Sequence, residues 1–296
     1  MLIEFPRRWI PGTVALFAVL LLGITGCSTG AERANVPFEL KTVSYAAESS
    51  PVLADIYVPR TEAGEALRPG ILVLHGGSWQ RGNKERKSDV AQYLASRGYV
   101  VMNANYRLAP EYSLAEQLHD VAAALQFMKK NAGQWQMDPH RIAMIGFSAG
   151  GHLALLSALS DAENRHPVAA VAAVGAPTDL TAYGDITTMH RLLRTSYDAH
   201  PEIYQNASPL YQVHANAPPI LLVHGTYDWI VPVNQARRMA EALRHSGAYV
   251  DLVELPNGHM TTTFNMNEES MAAITQFLEK QFAASVAASD QSTILR

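Results

Sequence analysis

The stretch IAMIGFSAGG, residues 142–151, decides the fold. Its first part, residues 142–145, is a short and continuous apolar run, which is typical of a strand buried on both faces of a parallel sheet. The G-x-S-x-G segment that follows leads into residues 149–160, where apolar residues three and four apart predict a helix. Glycines at such a turn allow a strained conformation that lifts the serine above the sheet. The pattern predicts that Ser148 is a nucleophile, because a helix N-cap role would leave the paired glycines unexplained.

Outward from this stretch, the chain alternates between strand-like and helix-like runs. Residues 52–58 alternate apolar and polar side chains as a strand of an antiparallel edge pair does, and short apolar runs occur at residues 71–74, 99–103, 168–174 and 220–223. Helical spacing occurs at residues 84–97, 113–130 and 234–245. This order predicts an α/β fold in which helices cover both faces of a mostly parallel sheet. In such folds, ligands bind beyond the carboxyl ends of the strands.

Turn-forming residues mark several boundaries. Gly98 and Gly247 are each predicted to end a helix just before a strand. Asp138-Pro139 is predicted to break the chain before Arg141. The folded domain is predicted to cover residues 38–286, followed by a polar tail at residues 287–296.

A nucleophilic serine needs a general base, and the base needs an acid that orients it. Where the serine lies at a strand-to-helix turn of this kind, the acid and then a histidine follow it along the chain. Asp228 comes shortly after the strand at residues 220–223, and His259 comes shortly after the run at residues 249–255. Both are therefore predicted to lie in loops at carboxyl ends of strands, where they converge with Ser148.

Other titratable residues receive simpler interpretations. Asp251 and Glu254 are rival acids, but they lie within a predicted strand rather than in a loop after one. His152, one turn after the serine, is predicted to pack or to hydrogen-bond locally rather than to act as a base. Three further histidines are interpreted as ordinary turn or helix residues: His119, His140 and His245.

The segment His75-Gly76-Gly77-Ser78-Trp79 follows the strand at residues 71–74, so it lies at the same edge of the sheet. Two consecutive glycines allow the backbone to turn its amides inward without a side chain that blocks a substrate. We predict that the N–H groups of Gly76, Gly77 and Ala149 form an oxyanion hole, in which the loss of one donor costs roughly 3 to 4 kcal/mol. His75 is predicted to brace this loop. The alternative is a flexible glycine turn.

The overall composition excludes several classes of protein. The chain has 296 residues, of which 48% are hydrophobic and 17% charged, and its formal net charge is −4. This composition is globular, and 23 basic against 27 acidic residues give no basic stripe that would bind DNA or RNA. Neither an H-E-x-x-H motif nor a G-x-x-x-x-G-K-[ST] phosphate loop occurs, so neither a metal nor another cofactor is implied.

The N-terminus differs from the rest of the chain. Arg7 and Arg8 precede the apolar run at residues 13–22, which leads to small residues and Cys27, so the regions of an export signal appear in order. The run is shorter than the roughly 20 residues of a membrane-spanning helix, and a permanent transmembrane anchor is the less favoured interpretation. Cys27 is the only cysteine, so no intramolecular disulfide is predicted.

Residues 24–27, Ile-Thr-Gly-Cys, resemble the lipobox of bacterial lipoproteins. The resemblance implies a signal peptide over residues 1–26, diacylation of Cys27 and a tether over residues 27–37. The mature chain is then expected to be exported and held by lipid at a bacterial membrane. Ser28 resembles the residue after the cysteine in lipoproteins passed to the outer membrane, facing the periplasm or the surface. The alternative is an ordinary secretory signal with an incidental cysteine.

Several motifs together resemble the α/β-hydrolase esterases, at residues 75–79, 105–111, 138–142, 146–154 and 207–209. They are similar to the branch that joins hormone-sensitive-lipase-like carboxylesterases to bacterial feruloyl and acetyl-xylan esterases. The resemblance covers about residues 40–286. It implies an α/β-hydrolase fold with a sheet of roughly eight strands and a small helical insertion at residues 178–217. Ser78-Trp79 departs from the third glycine usual in the hormone-sensitive-lipase-like enzymes and is similar to kynurenine formamidases.

The resemblance implies a serine hydrolase that cleaves carboxylic esters through an acyl-enzyme, with Ser148, Asp228 and His259 as the triad. The expected substrates are short acyl or aryl esters, including esters carried by carbohydrates. Two other functions stay open: an arylformamidase or small-peptide hydrolase, and a non-catalytic lipoprotein that binds glycans or proteins. The residues expected to line the substrate pocket are Trp79, Phe147 and Tyr183, and Trp79 is alternatively a core residue.

Overall fold

The computed structural model describes residues 35–46, 51–60, 64–160, 168–264 and 268–294. In this part of the chain, eight strands form one sheet in the order β1-β2-β4-β3-β5-β6-β7-β8. The β1–β2 and β2–β4 pairs are antiparallel, and the remaining pairs are parallel. This topology confirms the predicted α/β-hydrolase fold. The strands are β1 Phe38–Ala46, β2 Val52–Pro59, β3 Arg68–Leu74, β4 Val100–Ala104, β5 Met137–Phe147, β6 Ala170–Val174, β7 Ile220–Gly225 and β8 Val250–Leu255.

Helices pack on both faces of the sheet because the parallel strands are apolar on both sides. In β3, Leu72 and Leu74 join the core under α2, α3 and α6, whereas Ile71 and Val73 join the core under α1 and α8. Side chains that alternate along a strand point to opposite faces, so one continuous apolar run supplies two cores. The helices are α1 Ser88–Ala95, α2 Leu114–Asn131, α3 Ala149–Ser160, α4 Thr187–Leu193, α5 Pro201–Asn206, α6 Asn234–Ser246, α7 His259–Thr263 and α8 Glu268–Ile294.

Two local expectations need correction or refinement. The predicted helix at residues 84–97 is a 3₁₀ turn, Lys84–Lys87, followed by α1. The predicted break at Asp138-Pro139 does not end the strand, because β5 continues through it with a register shift against β3. The Asp138 carboxylate accepts hydrogen bonds from the amide of His140 and the guanidinium of Arg141, and these bonds support the irregular stretch. The expectation of a break was therefore wrong: the proline lies in a bulge.

The segment after β6 carries only short helices over the carboxyl edge of the sheet. Two 3₁₀ turns, Leu180–Tyr183 and Pro209–Gln212, flank α4 and α5. Within the described ranges, no helix combines the length and apolar character that crossing a membrane requires. The predicted signal peptide, residues 1–26, and the predicted lipidation site, Cys27, lie outside the described residues.

Candidate active site

Ser148 lies at the sharp turn between β5 and α3. Its φ of +51° is in the left-handed region, which L-residues with a side chain rarely occupy, so the turn stores strain. The turn is held because the Ser148 amide donates to the carbonyl of Val174 at 2.7 Å. A Cβ on Gly146 would lie 2.2 Å from the carbonyl oxygen of Gly150, so only glycine fits there. The structure thus has the strand–turn–helix geometry that the G-x-S-x-G pattern predicts.

His259 and Asp228 meet Ser148 at this edge. His259 is the first residue of α7, and its Nε2 is 2.9 Å from the Ser148 Oγ. Its Nδ1 is 2.6 Å from the Asp228 Oδ2, and all three residues are buried. The residues come from three separate loops, with 111 positions of sequence between Ser148 and His259. Their arrangement is that of a nucleophile, a base and an orienting acid, and the catalytic roles stay predictions.

The Asp228 carboxylate is fixed at both oxygens. Its Oδ1 accepts hydrogen bonds from the amides of Ile230 at 3.0 Å and Val231 at 2.8 Å, while Oδ2 faces His259. Burial raises the pKa of the carboxyl group, but hydrogen bonds from His224, His259 and the Val231 amide outweigh it and hold the pKa well below its usual value. Asp228 is therefore ionised at neutral pH. An ionised acid accepts from Nδ1–H of His259, which leaves Nε2 without a proton and able to accept one from Ser148.

His224, at the end of β7, supports the acid and was not predicted as a site residue. Its Nε2 lies 2.7 Å from the Val231 carbonyl and 3.5 Å from the Asp228 Oδ2. The Nε2–H group donates mainly to the carbonyl and also faces the carboxylate, so His224 holds the loop that contains Asp228 and helps to lower the pKa of the carboxyl group. A histidine that ends an otherwise apolar strand, four residues before an acid, is the sequence signal that indicates this role.

The glycine loop after β3 contacts the serine turn. A Cβ on Gly76 would lie 2.9 Å from the Phe147 carbonyl and 3.2 Å from the Ser148 Cβ, so the backbone of this loop packs directly against the nucleophile. Gly77 has a φ of +138°, and a Cβ there would lie 1.8 Å from the Arg81 carbonyl. The structure brings Gly76 to the position that the sequence predicted, beside Ser148, and Ala149 follows the serine as the first residue of α3. The donor roles of the Gly76, Gly77 and Ala149 amides stay predictions.

We expect Gly77→Ala to lower kcat/KM by about 100-fold or more, which is the effect of losing one oxyanion donor. The added methyl group overlaps the Arg81 carbonyl and forces the loop to move. The control is Gly133→Ala, because Gly133 has open space where the methyl group would lie. Steady-state hydrolysis of a soluble aryl acetate by both variants checks this expectation, and wild-type activity of Gly77→Ala would contradict it.

His152 and Trp79 form a buried pair behind the glycine loop. The Trp79 indole N–H donates to the His152 Nδ1 at 3.1 Å, and the His152 Nε2–H donates to the Ala207 carbonyl at 2.8 Å. His152 thus packs and hydrogen-bonds locally, as its position in the sequence predicted. Trp79 is only 3% exposed and belongs to the core under α3, as the alternative interpretation expected, whereas its role in the substrate pocket stays a prediction.

His75 braces the same loop. Its ring stacks on Tyr106 with the centroids 4.3 Å apart, and the Tyr106 hydroxyl donates to the His75 carbonyl at 2.8 Å. Burial lowers the pKa values of His75 and His152 to about 4, because desolvation disfavours the charged imidazolium. Both rings are therefore neutral at neutral pH.

These two neutral histidines predict acid destabilisation. Their pKa in the unfolded chain is the ordinary 6.5, so the unfolded state binds protons first as the pH falls from about 6.5 towards 4. The stability contributed by the neutral histidines is fully present above pH 6.5. We expect protonation of each histidine to lower the free energy of unfolding by about 2 to 3 kcal/mol by pH 4.5. Urea denaturation at pH 7 and pH 4.5 checks this. His152→Gln should show about half of the wild-type loss between these pH values, and an equal loss would contradict the argument.

The other predicted residues are distributed as follows. The Phe147 side chain is buried under the Lys87 ammonium, and Tyr183 lines a cavity of about 390 Å³ together with Trp229. Glu254 forms a bidentate ion pair with Arg237 and makes no hydrogen bond to His259 among the described contacts, whereas Asp228 does. The pocket roles of Phe147 and Tyr183 stay predictions. Among the described residues, no group of three or more potential metal ligands occurs.

Comparison with known proteins gives the family. A family model described as BD-FAE matches residues 54–243, which is more than half of the chain. The chain belongs to the BD-FAE family. The matched range includes the glycine loop, Ser148 and Asp228, and it ends before His259. Membership of the BD-FAE family confirms the predicted resemblance to α/β-hydrolase esterases.

Several relatives of known name are esterases. Esterase LipC of Mycobacterium tuberculosis (strain ATCC 25618 / H37Rv) is 33% identical over 213 residues, which cover 64% of this chain and 52% of LipC. The probable carboxylic ester hydrolase LipM of the same organism is 31% identical over 242 residues, covering 76% of this chain and 56% of LipM. The chain thus spans about half the length of the curated relatives that it matches.

Solved structures share the fold. The apo form of Thermogutta terrifontis esterase 2 superposes with a TM-score of 0.68 at 25% identity, covering 86% of this chain and 96% of that protein. A truncated carbohydrate esterase from gut microbiota has a TM-score of 0.73 at 23% identity, covering 85% and 98%. The likeness to this carbohydrate esterase supports the fold alone.

Proposed function

We propose that this chain is a serine hydrolase that cleaves carboxylic esters through an acyl-enzyme on Ser148. The observation that carries the proposal is the continuous hydrogen-bonded line from Ser148 through His259 to an ionised Asp228, next to a glycine-rich loop. The names of the relatives, an esterase and a probable carboxylic ester hydrolase, support this reaction class.

The proposed reaction has two halves. In the first, the Nε2 of His259 takes the Ser148 proton while the Oγ attacks the ester carbonyl, and the amides of Gly76, Gly77 and Ala149 stabilise the negative oxygen. His259 then gives the proton to the leaving alcohol. In the second half, His259 activates a water molecule that hydrolyses the acyl-enzyme. Asp228 stabilises the imidazolium in both halves, because its carboxylate stays ionised beside Nδ1.

The proposed substrates are short acyl or aryl esters of bulky alcohols, including alcohols on carbohydrates. The rim near the triad supports a bulky alcohol: Tyr227 and Trp229 flank Asp228 and are 71% and 83% exposed, and Met260, after His259, is 55% exposed. Large apolar side chains that remain in water near a site favour a ligand that covers them. Because His259 protonates the leaving alcohol, residues beside it lie on the alcohol side. The propionate- and butyrate-bound forms of the Thermogutta esterase support short acyl groups.

A labelling experiment tests the reaction class. We expect a fluorophosphonate probe to modify the wild-type protein on the peptide that contains Ser148 and to leave Ser148→Ala unmodified. A substrate panel of acetyl, butyryl and feruloyl esters together with N-formylkynurenine separates the rival functions, and we expect the esters to react faster. Failure to label the folded wild type would favour the non-catalytic binding lipoprotein, and a preference for N-formylkynurenine would favour the arylformamidase.

We also propose that the mature protein is exported and anchored by lipid on Cys27. The support is the lipobox-like Ile-Thr-Gly-Cys sequence at residues 24–27. Mass spectrometry of the mature N-terminal peptide tests this, with a diacylated cysteine as the expected result. Cys27→Ala should move the protein out of the membrane fraction, and an unmodified or uncleaved N-terminus in the wild type would contradict the proposal.

A further inference from the structure

Lys87 is a buried lysine that the proposed reaction does not use. Its side chain is only 1% exposed, although lysine is almost never fully buried without an ionic partner. Its Nζ donates to the carbonyl of Thr263 at 2.6 Å and lies 3.4 Å from the carbonyl of Phe264. The same ammonium lies 4.0 Å from the centroid of the Phe147 ring. The neighbouring Lys84, by contrast, forms a buried ion pair with Asp55 at 2.8 Å.

The carbonyls that Lys87 binds lie at the end of the helix that carries His259. The helix α7, His259–Thr263, has only five residues, and so short a helix is not stable by itself. Its last carbonyls lack helical partners, and a cation there also interacts favourably with the helix dipole. The Thr263 hydroxyl donates to the His259 carbonyl at 2.7 Å. A shift of Thr263 therefore shifts the backbone of His259 as well.

The other contact of Lys87 leads to the nucleophile. Phe147 directly precedes Ser148, and a cation over an aromatic face is attracted more strongly when both groups are desolvated. Thr263 also packs against the turn after β6, since a Cβ on Gly175 would lie 2.5 Å from its methyl carbon. One ammonium group thus contacts both the segment that holds the serine and the helix that holds the histidine.

We propose that Lys87 is a positioning residue that sets the distance between the Ser148 hydroxyl and the His259 imidazole by joining the end of α7 to the ring of Phe147. The inference rests on the proposed hydrolase function. Lys87 does not touch the reacting atoms and acts only through Phe147 and Thr263. A displacement of about 1 Å between catalytic groups can cost about 100-fold in rate, so a link of this kind affects kcat more than KM.

The ionisation of Lys87 gives a second readout. Burial lowers its pKa to about 8, while Asp89 raises and Arg86 lowers it. Asp89 and Arg86 lie on its own segment, and the neutral His75 of the glycine loop also interacts electrostatically with it. Among the described residues of β5 and of the end of α7, the groups that face the ammonium are the Phe147 ring and two backbone carbonyls. Loss of the proton removes the cation–π contact and weakens the bonds to α7, so activity should fall as the pH rises through about 8. A simple serine hydrolase instead reaches a plateau there, because its base is already neutral.

Folding stability should change in the opposite direction. The pKa of Lys87 is about 8 in the folded protein and 10.5 when unfolded, so the unfolded state binds more protons between these values. The contribution of Lys87 to stability therefore rises over this range of pH. A decline in activity above pH 8 in a protein that keeps its melting temperature separates positioning from alkaline unfolding.

The experiment compares Lys87→Met, Lys87→Arg and the control Lys84→Met on p-nitrophenyl acetate from pH 6 to pH 10, with thermal melting at each pH. We expect Lys87→Met to lose about 10- to 100-fold in kcat with little change in KM, and to lose the decline above pH 8. Lys87→Arg should recover part of kcat and keep it to pH 10, because arginine remains charged. Lys84→Met should lose stability but keep kcat and the alkaline decline.

Two results would overturn the proposal: an unchanged kcat in Lys87→Met, or an alkaline decline that persists in Lys87→Arg. If Lys87→Met does not fold, the pH profile of Lys87→Arg decides. Failure of the proposed function is a different outcome, because then the wild type itself shows neither turnover nor labelling at Ser148.

Discussion

Ser148→Ala is expected to lower kcat for ester hydrolysis by about 10⁶-fold, with little change in folding stability. The Ser148 Oγ is the only atom that the variant loses, and that oxygen is the group 2.9 Å from the His259 Nε2. Without it no acyl-enzyme forms, and water must attack the bound ester directly. The remaining rate comes from substrate binding and the amides of the glycine loop, which still act on the carbonyl oxygen.

In the proposed reaction the three triad residues act as a unit, so the losses caused by separate substitutions should not multiply. His259→Ala should cost about as much as Ser148→Ala, and the double variant should be no slower than either single variant, because each change alone already disables proton transfer. Ser160→Ala, at the far end of α3, is the matched control and should keep the wild-type rate. Single-turnover assays at saturating substrate measure all four proteins. Losses that multiply in the double variant would mean that the two residues act independently.

The fold and the triad could be predicted because their signals are local. Continuous apolar runs identified the central parallel strands, and the G-x-S-x-G pattern identified the turn at Ser148. The edge strand β1, Phe38–Ala46, was not identified, because most of its side chains face solvent and it has no apolar run. It is stabilised by pairing with β2, including a hydrogen bond from Thr42 to Asp55. Such pairing depends on the partner strand, so the sequence of the edge strand alone does not reveal it.

The supporting residues of the site were missed for a related reason. Lys87 lies in the charged segment at residues 84–87, which by itself is typical of the solvated side of a helix start. Its hydrogen bond to the Thr263 carbonyl joins residues 176 positions apart, and no periodicity or spacing encodes that contact. His224 is closer to its partners, and a buried histidine at the end of an apolar strand does indicate a local role. The candidate triad is thus predictable from motifs, whereas the residues that hold it depend on tertiary packing.

Asp228→Asn is expected to lower kcat by about 10⁴-fold although the side chain keeps its size and position. Two amides, from Ile230 and Val231, donate to the Asp228 Oδ1 at 3.0 and 2.8 Å. Asparagine must therefore put its oxygen at that position, because an NH₂ group there would face two donors. Its NH₂ group then faces the Nδ1 of His259, which has to give up its proton and accept. The proton moves to Nε2, and an imidazole protonated there cannot take the Ser148 proton.

The activity of Asp228→Asn at high pH distinguishes a wrong tautomer of His259 from the loss of the Asp228 charge. Above the pH at which the serine proton is easily removed by hydroxide, the variant should recover part of its rate, because the need for the histidine base diminishes. Asp228→Ala leaves the two amides without an acceptor and frees the His259 Nδ1, so it should lose stability as well as activity. Kinetics from pH 6 to pH 10 and melting temperatures of both variants provide the comparison. If Asp228→Asn were as active as the wild type at pH 7, the orientation of His259 would depend on groups other than this carboxylate.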